Sequence, residues 1–100
     1  MHPMVIGDFA NQVPNPVFIL IHVALFIVGA ILAYRCFNSD ARTAGWGFAL
    51  FALAEISYMT YHLDITTFLF AHTISEVLDV VAFVLVFVGF SQRAQRPAGA

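Results

Sequence analysis

Lysine is absent from this 100-residue chain, cysteine occurs once, and charged side chains make up only 10% of it. Soluble domains carry about 25% charge, so this surface is too poorly charged for water. Four arginines against six acids leave a net charge of −2 and no basic patch, which excludes a nucleic-acid-binding role. The lone Cys36 excludes a disulfide-stapled domain. Also missing are a nucleophile–base triad and a phosphate-binding loop, so a self-contained enzyme is not expected. What is abundant is apolar: 61% of residues, eleven of them phenylalanine, against roughly 45–50% in soluble domains. With a mean hydropathy of +0.88, a chain this small has too much surface to hide so much apolar side chain from water. Its expected solvent is lipid.

A hydrocarbon core about 30 Å thick takes roughly 20 apolar residues of helix. Three stretches meet that requirement, giving expected helices at about 17–35, 43–62 and 66–91 and a disordered tail at about 94–100. Backbone groups in lipid must be paired within the segment, so the expected fold is all-α, an up-down-up bundle of three transmembrane helices. Asn15 and Pro16 open the first helix, and the polar run from Arg35 to Asp40 is expected to end it. Trp46 and Tyr34 suit one membrane interface, Tyr58 and Tyr61 the other. The connection His62-Leu63-Asp64-Ile65 is short enough for a tight hairpin, with Asp64 expected to cap the third helix. Arg35, Arg42, Arg93 and Arg96 all fall on one side of a three-span layout, which makes that side cytoplasmic and the N-terminus external. The first helix has nothing basic before it and does not read as a cleavable signal. Met4, Val5, Ile6 and Phe9 suit the outer interface. The expected setting is a bacterial or archaeal-type inner or plasma membrane.

Three of the ten charged side chains, Glu55, Glu76 and Asp79, fall inside the expected spans, with His22 and His72 beside them. An acid at a helix centre costs about 2.5–3.5 kcal/mol on insertion scales, so such residues point to function. His72, Glu76 and Asp79 are spaced i, i+4, i+7 and share one helix face, with Ser75 beside them. Phe83, Val86 and Phe90 continue that face inward. Glu55, Tyr58 and His62 share a face of the second helix, and His22 shares one with Phe26, Gly29 and Ala33. Gly29 and Ala33 form a small-xxx-small pair for close helix packing. Counted from the outer helix ends, His22, Glu55 and His72 lie about 8–10 Å deep, Glu76 about 16 Å and Asp79 about 21 Å. They are expected to form one outer-leaflet cluster, with Glu76 central, and the inner half carries no ionisable group until Arg35 and Arg42. His2 and His62 are expected to be solvated, and Cys36 to be a small apolar residue rather than a lipidation site.

Four readings fit such a cluster. A relay for protons or a cation would use Glu55, His72, Glu76 and Asp79. Assembly glue would bind the chain to copies of itself or to other subunits of a respiratory, photosynthetic or transport complex. A divalent transition metal would take His22, Glu55, His72 and Glu76. A haem or chlorophyll-type pigment would take His22 and His72 as axial ligands. With a glutamate in each of helices two and three, Glu55 and Glu76, the layout is similar to that of the K-type subunits of proton-pumping NADH dehydrogenases and their antiporter counterparts. Those are also three-helix chains of about this length with an external N-terminus. The resemblance is one of layout and implies a proton-handling membrane subunit. The second connection is much shorter here, and His22, His72 and Asp79 have no counterpart.

Overall fold

The structure, a computed structural model, describes residues 12–95. Met4, Val5, Ile6, Phe9, His2 and Arg96 lie outside them, as does the tail beyond Gln95. Three helices make up nearly all of the described chain: α1 (Asn15–Asn38), α2 (Arg42–His62) and α3 (Phe68–Ala94). No strand occurs among the described residues. Both α1 and α3 are long and apolar enough to cross a membrane. The 21-residue α2 is long enough but less apolar, because the residues it buries are small or acidic: Ala44, Gly45, Gly47, Ala52, Ala54 and Glu55.

That composition follows from where α2 stands. It packs antiparallel against α1 on one side and α3 on the other, whereas no α1–α3 pair among the described residues comes into contact. The up-down-up order holds, but the helices form a row with α2 in the middle rather than a closed bundle. Small residues make the row tight. Gly29 and Ala33 are buried in α1. A Cβ on Gly29 would lie 2.9 Å from a Phe51 ring carbon and 3.3 Å from the Ala52 Cβ. On the other side Ala71, Ser75, Ala82 and Gly89 are the buried residues of α3. Ser75 Oγ donates to the Ala54 carbonyl at 3.1 Å, and Ser57 Oγ donates to that of Ala71 at 3.3 Å. Such bonds suit helices in a dry interface, where a hydroxyl has no water to turn to.

The helix ends differ from expectation in two instructive ways. Helix α1 continues through Arg35-Cys36-Phe37-Asn38, because nothing in that run breaks a helix and Arg35 in the last turn complements the dipole. It stops where Asp40 takes a left-handed φ of 63° and the Ala41 N–H bonds back to the Cys36 carbonyl at 2.9 Å. Helix α2 ends the same way. Asp64 takes φ 61°, the Ile65 N–H reaches the Thr60 carbonyl at 2.9 Å, and the Asp64 N–H reaches that of Tyr61 at 3.0 Å. This is a Schellman ending with aspartate in the position glycine usually fills. Asp64 therefore closes α2 rather than capping α3. The α3 cap is Thr67, whose side chain accepts from the Phe70 N–H at 3.4 Å. Glycine at 64 relieves the left-handed strain and valine worsens it. Asp64→Val is expected to lose about 1–2 kcal/mol in an SDS unfolding titration, while Asp64→Gly holds or gains stability.

Cys36 is buried beside Ala41 and Ala44 at the α1–α2 turn, as a small apolar residue would be. Tyr34 and Trp46 are exposed near that end, Trp46 packing edge-on against Phe37 at 5.4 Å.

Candidate functional site

The antiparallel pairing of α1 and α2 sets two series with the same spacing against each other. Asn15, Phe18 and His22 (i, i+3, i+7) face Glu55, Tyr58 and His62 (i, i+3, i+7), running in opposite directions. The result is a ladder of side chains. At its outer end Asn15 holds His62 twice: the His62 Nδ1–H donates to Asn15 Oδ1 at 2.7 Å, and Asn15 Nδ2 donates to the His62 carbonyl. Phe18 stacks on His62 with ring centroids 5.2 Å apart, and the His62 ring lies 5.3 Å from that of His22. His22 in turn stacks on Tyr58 at 5.0 Å. The inner end is the most buried polar contact between α1 and α2 among the described residues: His22 Nδ1 lies 2.5 Å from Glu55 Oε2, with side-chain exposures of 16% and 6%. The two side chains thus meet in a largely dry interface, where a hydrogen bond has little competition from water.

Tyr58 extends the ladder to α3. Its hydroxyl donates to Glu76 Oε1 at 3.2 Å, and Glu55, Glu76 and Asp79 all lie near enough to act on it electrostatically. Glu55 and Glu76 also act on Asp79. Asp79 itself is half-buried, and its Oδ1 is buried with no hydrogen-bond partner. His22 and Glu76 thus meet at Tyr58, and Glu55 is bonded to His22.

His72 does not join them. It is exposed on α3, one turn above Glu76, and stacks on Phe68 at 5.2 Å. Glu76 is exposed too, so the buried centre of the cluster is Glu55 and not Glu76. Ser75 is not part of the polar stripe, being fully buried against α2. His62 is half-buried and doubly held rather than solvated. Tyr58, His62 and Asn15 are the site residues that the sequence reading left out, although Tyr58 and His62 share the face of Glu55.

No group of three or more His, Cys, Asp or Glu side chains among the described residues is placed to hold a metal ion. His22, Glu55, His72 and Glu76 do not come together as one such group. The same geometry removes an axial His22–His72 pair: α2 stands between the two helices, and each imidazole packs on a different aromatic ring.

Two cavities flank the cluster. One of about 540 Å³ lies at the outer end, around His62, Asn15 and Asp64. The other, of about 250 Å³, runs between α1 and α3 with α2 as its floor, and Asp79 lies on its wall. The chain matches no protein-family model, no curated protein and no solved structure.

Proposed function

We propose that this chain is a multi-pass membrane protein that takes up protons from the outer side and passes them toward the middle of the bilayer. All three helices cross in this reading, with the N-terminus outside. Support for the third span comes from the length of α2, about 31 Å at 1.5 Å per residue, and from its place between two spanning-length neighbours. Arg35 in the last turn of α1, Arg42 at the start of α2 and Arg93 in the last turn of α3 support the orientation.

The observation that carries the proton reading is the 2.5 Å contact of His22 with Glu55 inside a helix interface. Glue alone is better served by serine or threonine, as Ser57 and Ser75 serve the α2–α3 side. An imidazole bonded to a carboxylate is suited to receive a proton on one side and release it on the other. The ladder gives the order of groups. His62 borders the outer cavity, His22 lies behind it, Glu55 accepts from His22, and Tyr58, Glu76 and Asp79 form the inner end. Inward of Asp79 the facing residues are apolar, so a second copy or another membrane subunit completes the path. The exposure of His72 and Glu76 on α3 favours such a neighbour, since a carboxylate facing lipid is costly unless covered.

In liposomes carrying a pH-sensitive dye, Glu55→Gln is expected to slow proton flux about 10²-fold. The size of the detergent-purified assembly should stay unchanged. Glu76→Gln is expected to act more weakly. Wild-type flux in Glu55→Gln rules the reading out.

A further inference from the structure

Leu69, His72, Glu76, Phe83 and Phe87 are all exposed on α3. At 3.6 residues per turn they fall within about 60° of one another around the helix, so they form one stripe. The stripe lies on the flank of α3, since the line that meets α2 is Ala71, Ser75, Ala82 and Gly89. Leu69, Phe83 and Phe87, at 73%, 77% and 73%, are the most exposed large apolar side chains among the described residues. The two ionisable members are the ones that lipid tolerates least. Glu76 Oε1 accepts from the Tyr58 hydroxyl, but no basic side chain among the described residues is bonded to this acid. His72 has its ring contact with Phe68 and no hydrogen bond among the described residues.

Ionisable side chains within membrane helices pair with one another or face a protein interior. A neighbour that covers this stripe must therefore bring an acid to His72 and a base to Glu76, at the same spacing. This chain itself carries that combination. In a twofold pairing, any contact of residue i with residue j of the other copy is matched by j with i. Two copies inserted in the same sense run their α3 helices parallel. His72 and Glu76, four residues apart, are rotated by about 40°, so a seam between them leaves one on each side. The twofold axis then sets His72 of one copy on the same side as Glu76 of the other, and holds the two Glu76 side chains on opposite sides. The two levels differ by about 6 Å. Glutamate, the longer side chain, narrows that gap by leaning toward the N-terminal end of its helix. We propose that a second copy of this chain covers the stripe, forming a parallel twofold dimer in which His72 of each copy bonds Glu76 of the other. Phe83 lies on the midline of the seam, with Leu69 and Phe87 beside it, and these supply the van der Waals contact that holds helices together in lipid.

The dimer rests on the membrane reading above and names the neighbour that reading calls for, but it is measured without proton flux. A dimer that moves no protons sinks the relay alone, and flux from an unpaired chain sinks the dimer alone. Full-length copies carrying a donor or an acceptor dye at the N-terminus are mixed in phosphatidylcholine liposomes, and energy transfer is followed as lipid is added. Wild-type transfer should persist at dilutions where randomly placed copies lose it. His72→Glu sets acid against acid on both sides of the seam, and Glu76→His sets imidazole against imidazole. Each is expected to weaken self-association about tenfold or more. Mixing the two variants, donor on one and acceptor on the other, rebuilds both cross-pairs and should bring association back close to wild type. Both positions are exposed, so helix content should match wild type by circular dichroism. A misfolded copy would not recover on mixing, and the wild-type measurement needs no variant to fold. Random-level transfer in wild type, undiminished association of either single variant, or a mixture no tighter than its parents would each overturn the assignment.

Discussion

His22→Leu is expected to destabilise the protein by about 3 kcal/mol or more, and adding Glu55→Leu to it should restore most of the loss. The asymmetry follows from burial. Removing the imidazole strands the Glu55 carboxylate, 6% exposed, opposite an apolar side chain, and nothing else is bonded to its Oε2. A stranded buried charge costs several kcal/mol, whereas replacing both partners with leucine leaves a continuous apolar contact. Glu55→Leu alone should cost less than His22→Leu, because His22 is 16% exposed and keeps its stack on Tyr58. An SDS titration followed by far-ultraviolet circular dichroism gives all three values. A double variant whose loss equals the sum of the two single losses would show that the pair is not coupled. The double variant also separates stability from activity: it should fold at least as well as His22→Leu and show no proton flux, which is the signature of a pair retained for chemistry.

The second large effect is at the inner end of the α2–α3 interface. A Cβ on Gly89 would lie 2.5 Å from the Ala44 backbone nitrogen and 3.0 Å from its Cα. The obstacle is main chain, which cannot swing aside, so the helices must part. Gly47 meets the same limit from the other helix, 2.8 Å from the Ala82 carbonyl oxygen and 2.6 Å from Val86 Cγ2. Gly89→Val is therefore expected to cost about 3 kcal/mol, the upper end for overpacking. It should also open α3 from α2, which a cysteine pair introduced across the interface reports as lost cross-linking. Gly45 is the internal control. Its nearest obstacle is the Phe37 ring at 3.0 Å, a side chain able to rotate, so Gly45→Ala should cost less than about 1 kcal/mol. Equal costs at 45 and 89 would show that the backbone contact is not what limits the interface.

Much of this was legible from residue order. Apolar run lengths gave three helices, and the Gly29–Ala33 pair marked the α1 face that meets α2. The depth count placed His22 level with Glu55, and they bond. Periodicity misled for His72, because it tells which residues share a face and not which way that face points. The i, i+4, i+7 set of His72, Glu76 and Asp79 is a true stripe, but it borders the contact with α2 instead of filling it. The contact itself is written in small residues. Ala71, Ser75, Ala82 and Gly89 recur at four and seven positions, the spacing of a close-packed membrane interface, and Asp79 and Glu76 flank that line. Asp64 closes α2 instead of opening α3 because aspartate suits both a helix start and a left-handed helix end, and residue type alone does not choose between them.

Every interhelical contact described joins neighbours along the chain, α1 to α2 and α2 to α3. The first hairpin can dock before the third helix has been made, and the third then has a finished surface to settle on. No early segment must wait, unsatisfied, for a distant later one, so the order of synthesis can also be the order of assembly. A truncation after the second turn should accordingly leave a hairpin that still joins Asn15 to His62.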